Sequence, residues 1–430
     1  MLLSASARSS PLSRIQVVEV EKELQIFYPE IQFVTTFTTT IGDRDQKTSL
    51  RSLDKTDFFT KDIDDMLLKK ASRIGIHSAK DLPDPIPEGL TIAAITQGID
   101  NSDSLVLPPC ITLESLKPGA LIATSSERRE DCVRLLRKDL AFTDIRGTIN
   151  QRLAIMDSGK VQGVVIAEAA LIRLGLTHLN RIKLPGETSS GQGKLAVVAR
   201  EDDQEVIDLF TCLDCRKKTL YLGLNLPKNN LTHKFSHLPL IKIVPRKIET
   251  TPDLCSFTHF VFTSQTSVNL FFEKISSEEL RDKIVLSVGK KTTQCLENLK
   301  VKVACTATEE TSEGIVKELE AMNLCHAKVF WPHSALSRKV ISNFFLKENI
   351  RFEEWILYDT IFNENIALVD LEAFDEIVFT SPSTVDAFLH FYKALPTNKI
   401  LTSIGSVTCI YLQNQTQSMK NQEKTYAAQI

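Results

Sequence analysis

Two short runs carry residue types that can do chemistry. His77-Ser78-Ala79-Lys80-Asp81-Leu82-Pro83 sets an ammonium beside a carboxylate where an apolar run, Ile74–His77, ends. Ligands gather at strand carboxyl ends in open α/β sheets, so Lys80 and Asp81 are candidate ligand contacts. The other reading of the same pair is a surface ion pair worth about 0–1 kcal/mol. Ala123-Thr124-Ser125-Ser126-Glu127-Arg128-Arg129 ends a second apolar run in hydroxyls and opens a helical pattern with Ser126 as N-cap. Hydroxyls, free N–H groups and two arginines at a helix start make an anion site; a capped helix with exposed arginines is the plainer alternative.

Further arginines fall at element ends or one turn apart. They are Arg8 in Ala7-Arg8-Ser9-Ser10-Pro11, Arg146 in Asp144-Ile145-Arg146-Gly147, Arg152 in the helix that follows, and Arg173 in Leu171-Ile172-Arg173-Leu174-Gly175. The planar guanidinium fork binds carboxylates bidentately. A half-shielded pair near 4 Å gains ~4 kcal/mol at an effective dielectric of 20, before desolvation is charged against it. Arginines gathered at loop ends of a nearly neutral chain therefore point to a polyanionic substrate.

The elements that must position these groups alternate strand and helix, which is an α/β pattern. Strands are expected at Ile74–His77, Leu90–Ile95, Leu121–Thr124, Gly163–Ala167 and Lys194–Arg200. Helices are expected over Leu12–Tyr28, Thr60–Lys70, Ser126–Leu136, Thr148–Ser158 and Ala169–Leu174. Pro83, Pro85 and Pro87 exclude regular structure between them and lead into a strand that crosses between two lobes. The texture changes near residue 216, after which Thr219–Leu224 reads as a fresh first strand and Leu238–Pro245 as another.

The second half echoes itself. Phe260-Val261-Phe262-Thr263-Ser264 recurs as Ile377-Val378-Phe379-Thr380-Ser381, and Ser287-Val288-Gly289 recurs at nearly the same offset as Ser403-Ile404-Gly405. Two similar lobes are implied, each a strand–Thr-Ser–helix unit followed by a strand–Gly–helix unit.

With 430 residues, two to four domains of roughly 100–200 residues fit. At 43% hydrophobic and 24% charged residues, the chain is neither disordered nor a coiled-coil rod. A net charge of -3 excludes bulk-charge binding to nucleic acid or membrane surfaces. Nine scattered cysteines include one C-x-x-C, Cys212 and Cys215, without the second pair a zinc ribbon needs. Reduced thiols, no metal and a cytoplasmic enzyme are expected. No apolar run reaches the ~20 residues that span a bilayer. The start, Met1–Ser10, reads as a strand and turn, not a signal peptide.

These motifs carry a resemblance. The first 200 or so residues resemble hydroxymethylbilane synthase, also called porphobilinogen deaminase. The match runs through Arg8-Ser9-Ser10-Pro11-Leu12, His77–Pro83, Pro87-Glu88-Gly89-Leu90, Thr124–Arg129, Arg146-Gly147-Thr148, Arg152-Leu153, Ala169–Leu176 and Gly191-Gln192-Gly193. The resemblance implies a two-lobed, periplasmic-binding-protein-like module that condenses four porphobilinogen units head to tail with loss of ammonia. Each pyrrole bears an acetate and a propionate, so the arginines acquire a reason. By position Asp81 matches the catalytic carboxylate. Arg8, Ser10, Lys80, Thr124, Ser125, Arg128, Arg129, Arg146, Arg152 and Arg173 match carboxylate-binding positions.

Two departures accompany it. The family holds a dipyrromethane cofactor through a Cys in a Gly-Gly-Cys loop of a third domain, and this chain has no Gly-Gly-Cys and goes on to a new module soon after Asp203. Cys212 or Cys215 as substitute attachment sites, structural thiols, and a cofactor held without a covalent bond all stay open. The family's glycine-rich lysine loop is also replaced, by Ser52-Leu53-Asp54-Lys55-Thr56-Asp57-Phe58-Phe59.

The second half resembles uroporphyrinogen-III synthase, through Leu220-Tyr221-Leu222-Gly223, Pro239-Leu240-Ile241, both Thr-Ser turns, the two Gly units and Tyr358-Asp359-Thr360. That resemblance implies closure of the linear tetrapyrrole with inversion of its last ring and no metal. It gives Tyr358 a role in loss of the terminal hydroxyl, and gives Thr263, Ser264, Thr380 and Ser381 a hold on carboxylates. Helix capping alone and a core tyrosine are the structural alternatives.

The expected organisation is residues 1–216 (lobes about 1–90 with 186–216, and 91–185) followed by 217–430 (lobes about 217–246 with 361–430, and 247–360). The expected function is a bifunctional enzyme of porphyrin synthesis acting on porphobilinogen and hydroxymethylbilane. The alternative is a first half that binds pyrrole carboxylates without polymerising them.

Overall fold

The computed structural model describes residues 1–45, 48, 51, 56–227, 231–247 and 251–427, with the side chains of 418–427 excepted. The first half of the Ser52–Phe59 segment singled out above, residues 52–55, therefore lies outside the described residues. The chain divides into two units, Met1–Lys218 with Pro227–Lys234, and Thr219–Leu226 with Phe235–Ile430.

The first unit contains β1 (Leu2–Arg8), α1 (Pro11–Gln25), β2 (Gln32–Thr38), α2 (Ile41–Arg44), α3 (Lys61–Leu68), β3 (Ile74–Ser78) and β4 (Leu90–Ile95). The chain then crosses to β5 (Asp103–Val106), β6 (Leu121–Ala123), α4 (Glu127–Leu136), β7 (Ala141–Thr143), α5 (Ile149–Asp157), β8 (Gly163–Ala167), α6 (Glu168–Arg173) and β9 (Arg181–Lys183). It returns with β10 (Leu195–Arg200) and α7 (Gln204–Phe210).

Two sheets result, ordered β2-β1-β3-β10-β4 and β7-β6-β8-β5-β9. β10 runs antiparallel between β3 and β4, so the returning chain stitches the first sheet together beside the outgoing strand. Buried strands read as apolar runs, and β8 (Gly-Val-Val-Ile-Ala) is buried at every position. The sheets have separate cores, one built on Leu3, Val20, Ile74, Val197 and Phe210, the other on Leu105, Ile122, Val133 and Val165. They are therefore two lobes, with carboxyl-end loops between them.

The second unit contains β11 (Lys217–Tyr221), β12 (His233–His237), β13 (Ile241–Pro245), β14 (His259–Phe262), α8 (Gln265–Phe272), β15 (Ile284–Ser287), α9 (Lys290–Asn298) and β16 (Cys305–Thr306). There follow α10 (Ser312–Glu320), β17 (Lys328–Ser334), α11 (Val340–Lys347), β18 (Arg351–Phe362), β19 (Glu376–Phe379), α12 (Pro382–Tyr392), β20 (Ile400–Ser403) and α13 (Ser406–Ala427). Its sheets are ordered β12-β11-β19-β20 and β13-β18-β17-β14-β15-β16. The sequence echo is structural, since β14-α8-β15-α9 and β19-α12-β20-α13 are the same parallel strand–helix unit used twice.

Where the expected strands end differently, the cause is local. β11 stops at Tyr221 rather than running to Leu224. At Gly223 a Cβ would stand 2.7 Å from both Thr380 Cγ2 and the Tyr221 ring, so the chain turns there in a space only glycine fits. β13 begins at Ile241 rather than Leu238, because Pro239 has no N–H to give a ladder. β12, with alternating polar residues, carried no strand signal.

Candidate functional site

A cleft of about 450 Å³ opens among the carboxyl-end loops of the first unit. β1 delivers Arg8 and Ser10, β3 delivers Lys80 and Asp81 on the single turn Ala79–Asp81, and the second lobe delivers Arg129, Arg146 and Arg152. Ser10 N-caps α1, accepting from the Ser13 amide at 3.1 Å, which fixes the strand-to-helix turn that carries Arg8. Gly147, at φ +98°, turns the chain between Arg146 and the Thr148–Gln151 capping box that starts α5, and Arg152 is thereby held one turn on.

The cations sort into two groups. Arg8 is clamped by Asp43 and lies over the Phe59 ring at 4.4 Å. Burial pushes the Asp43 carboxyl up, but the Arg8 guanidinium and Thr40 outweigh it, so the group sits below its ordinary value. Arg128 and Arg129 share Asp103 on β5, at 2.7 and 2.6 Å. Asp103 is likewise pushed up by burial and pulled further down by the two arginines.

Lys80, Arg146 and Arg152 have no carboxylate partner among the described residues. Lys80 donates to Gln192 Oε1 at 3.4 Å, Arg152 to the Gly147 carbonyl at 2.9 Å, and Arg146 to the Gly42 and Asp45 carbonyls at 2.9 and 2.8 Å. Burial and the neighbouring Arg129 lower Lys80 to about 8. Burial and three nearby arginines lower Arg152 to about 10. Among the described residues two buried guanidinium nitrogens, Arg129 Nε and Arg146 Nη1, have no hydrogen-bond partner. Desolvated cations with vacant donors form a site that gains free energy when a polycarboxylate enters. Asp81 makes no hydrogen bond among the described residues, and its carboxylate is free to accept. His77, behind Lys80, is held neutral by burial, with its value lowered to about 3.

The remaining expected positions lie outside the cleft lining. Thr124 is buried and caps the Ser126 amide at 3.3 Å. Ser125 fastens the Ile145 backbone. Arg128 turns to Asp103 and the Glu187 carbonyl. Arg173, 4% exposed, pairs with Glu19 on α1. Cys212 is exposed, bonded to the Leu209 carbonyl, while Cys215 sits between Lys194 Nζ at 3.3 Å and the Thr96 carbonyl at 3.2 Å. Sequence reading missed Gln16, Asp43, Phe59 and Asp103. Asp43, Phe59 and Asp103 meet their arginines only in the fold, and Gln16 donates to Ser78 Oγ at 2.9 Å.

In the second unit Tyr358, 6% exposed on β18, holds Ser264 Oγ at 3.1 Å through its phenol oxygen. Ser264 N-caps α8 and Ser381 N-caps α12. Thr380 donates its amide to Thr384 Oγ1 at 3.2 Å, and Thr263 is half-buried at the β14 end. Both Thr-Ser turns thus sit at parallel-strand carboxyl ends, as ligand-holding turns do. Among the described residues no cluster of His, Cys, Asp and Glu could hold a metal, and no helix is long and apolar enough to cross a membrane.

The first unit is thus a two-lobed α/β module whose cleft gathers Arg8, Lys80, Arg129, Arg146 and Arg152. Residues 3–208 match the family model for "Porphobilinogen deaminase, dipyromethane cofactor binding domain", and residues 229–428 match that for "Uroporphyrinogen-III synthase HemD". The porphobilinogen deaminase of Nostoc sp. is 35% identical over 214 residues, covering 48% of this chain and 66% of that relative. A probable porphobilinogen deaminase of Chlamydia muridarum is 40% identical over 197 residues, 46% of this chain and 81% of the relative. Among solved structures, the uroporphyrinogen-III synthetase of Helicobacter pylori aligns with a TM-score of 0.35 at 20% identity, over 46% of this chain and 89% of that one. The chain belongs to the porphobilinogen deaminase family through its first half, and its second half matches the family model of uroporphyrinogen-III synthase. Both families whose models it matches are enzyme families.

Proposed function

We propose that the first unit condenses porphobilinogen into linear hydroxymethylbilane and the second closes that product to uroporphyrinogen III. The observation that carries the reading is the trio Lys80, Arg146 and Arg152, cations without carboxylate partners among the described residues, lining one cleft with Asp81. Pyrrole acetates and propionates supply the missing carboxylates, and they place the aminomethyl carbon near Asp81. Departure of ammonia takes the C–N electron pair and leaves a cationic azafulvene. The Asp81 carboxylate accepts the pyrrole N–H and stabilises that charge as it develops. The α-carbon of the next pyrrole then forms the new C–C bond and loses its proton.

The residues present fit a dipyrromethane group. Among the described residues Arg129 Nε and Arg146 Nη1 are donors without a partner, and Lys80 and Arg152 donate only to the neutral Gln192 and Gly147 oxygens. When bound, that group supplies the pyrrole carbon to which the first unit is joined. In the second unit Tyr358 assists departure of the terminal hydroxyl, and Thr263, Ser264, Thr380 and Ser381 hold carboxylates from the two strand ends.

Incubating the protein with porphobilinogen tests the whole reading, with uroporphyrinogen III as the expected product. Asp81→Asn should lower the rate about 10²–10⁴-fold. Formation of neither linear nor cyclic product would leave the first half a binding module. If supplied hydroxymethylbilane yields only the symmetric isomer, the second half is not a synthase.

A further inference from the structure

Gly191-Gln192-Gly193 lies in the returning crossover, between β9 and β10, and the side chain between its glycines has no part in the condensation. Gln192 is 3% exposed and stands behind the cleft lining. Its backbone is fixed on both sides. The Gln192 amide donates to the Ser189 carbonyl at 3.0 Å. At Gly193, where φ is +84°, a Cβ would collide with the Asp100 carbonyl of the outgoing crossover.

The carboxamide is oriented by what surrounds it. Nε2 faces three acceptors, the Asn101 carbonyl at 2.8 Å, the Ser102 carbonyl at 3.2 Å and Asp103 Oδ1 at 3.0 Å. Oε1 faces two donors, Lys80 Nζ and Arg129 Nη2, each at 3.4 Å. The opposite flip would set an NH2 against two cations and an oxygen against three oxygens, so one orientation alone satisfies the site. Asn101 and Ser102 belong to the outgoing crossover and Asp103 opens β5. Lys80 follows β3 in the first lobe, and Arg129 lies on α4 in the second. One side chain thus ties both crossovers to a cation from each lobe.

The oxygen at this meeting point is neutral. A carboxylate there would pair with Lys80 and Arg129 and cancel their charge, whereas an amide oxygen steadies both without cancelling it. Among the described residues Gln192 is the sole hydrogen-bond partner of the Lys80 side chain, while Arg129 has Asp103 as well. Lys80 is therefore the cation whose placement depends on the amide.

We infer that Gln192 is a positioning residue, whose Oε1 holds the Lys80 ammonium in place on the cleft wall at a fixed spacing from Arg129. The inference rests on the polymerising reading above and adds a residue that acts through Lys80 without touching substrate. Burial and four charged side chains bear on that ammonium. Burial, Arg129 and Arg152 oppose its proton, Asp81 and Asp103 favour it, and the balance leaves it titrating at about 8. A hydrogen bond made by the charged form favours that form, so removing the Gln192 oxygen moves the titration down.

Gln192→Met keeps the reach of the side chain and removes the acceptor. The test is acetylation of Lys80 by acetic anhydride in the full-length protein across pH, read on the Lys80 peptide by mass spectrometry, beside steady-state kinetics with porphobilinogen. The Lys80 midpoint should fall about one pH unit below the parent's. KM should rise about tenfold with kcat nearly unchanged. In a Lys80→Arg background Gln192→Met should move KM far less, because the group it acts through is gone. Gln192→Asn, which keeps the amide but withdraws it by one methylene, should shift the midpoint the same way and covers a Met variant that fails to fold. A midpoint that stays at the parent value, or an equal KM rise in the Lys80→Arg background, overturns the inference and leaves the polymerising function standing. A parent protein that makes no product sinks that function, and the acetylation midpoint then decides the role of Gln192 by itself.

Discussion

Arg173 and Glu19 form a bidentate pair between the lobes of the first unit, Nε to Oε2 at 2.7 Å and Nη2 to Oε1 at 2.8 Å, and the same Nη2 donates to the Gly193 carbonyl at 3.0 Å. Glu19 stands on α1 of one lobe and Arg173 ends α6 of the other. Gly193 belongs to the turn leading into β10, and Gln192 beside it accepts from Lys80 and from Arg129, both at 3.4 Å. The pair therefore braces the crossover that positions the cleft cations. Arg173 is a structural strut in this arrangement.

Removing one partner of a buried pair leaves the other uncompensated. Arg173→Ala is expected to destabilise the protein by about 3 kcal/mol, read as a lowered denaturant midpoint for the first unit. Arg152→Ala, which breaks no ion pair, should shift that midpoint far less while raising KM for porphobilinogen. Equal stability losses in the two variants would contradict this division between strut and ligand contact.

Lys80 gives the cleft a pH dependence. Burial and then Arg129 lower its value to about 8, so the ammonium is present below that pH and fades above it. Carboxylate binding should weaken as pH rises through about 8, seen as an increase in KM with kcat less affected. In Lys80→Arg the guanidinium stays charged, and the rise should move beyond the working range. A KM profile of the parent protein that stays flat from pH 7 to 9 would remove Lys80 from carboxylate binding.

Asp64 makes an opposite kind of contribution. It lies 4% exposed on α3, and burial raises its carboxyl to about 6, with Asp57 and Asp65 adding to the rise beyond what Thr60 offsets. The folded state therefore binds more protons than the unfolded one between about pH 4 and 6, and stability attributable to this group is lost as pH rises through that window. Asp64→Asn should stabilise the protein at pH 8 by about 2 kcal/mol and flatten its pH–stability curve between 4 and 6. Unchanged thermal midpoints at pH 8 would count against a strained buried carboxylate.

Much of this arrangement was legible before folding. Apolar runs placed β4 and β8 to the residue, and capping signals placed α4 and α5 within one residue of their starts. The strand end followed by Lys-Asp leads into the cleft lining, because a parallel strand delivers its next residues to the sheet's carboxyl edge, whereas Thr124 and Ser125 stand outside that lining. What was not legible is which cation meets which anion. Arg8, Arg129 and Arg173 read alike along the chain, but Asp43, Asp103 and Glu19 become their neighbours only when the chain folds. β5 is four residues long and buried throughout, with Asp103 inside it, so neither periodicity nor polarity marked it. The pairing of Tyr358 with Ser264 is of the same kind, a contact between β18 and the N-cap of α8, far apart in sequence.

That pairing yields the last prediction. The Tyr358 phenol reaches the oxygen that also accepts the Ser267 amide, at 3.0 Å, to cap α8. Ser264→Ala should cost about 1 kcal/mol from the lost cap and free the phenol, so its effects on folding and on cyclisation arrive together. Tyr358→Phe separates them. The ring stays packed in the core of β14, α8 and β18, and stability should fall by only about 1 kcal/mol for one lost hydrogen bond. If the phenol assists departure of the terminal hydroxyl, formation of uroporphyrinogen III from hydroxymethylbilane should drop about 10²-fold, with the unguided symmetric isomer taking its place. A Tyr358→Phe protein that closes the ring at the parent rate would leave Tyr358 as a packing residue and move the search for the proton donor to the Thr380 edge.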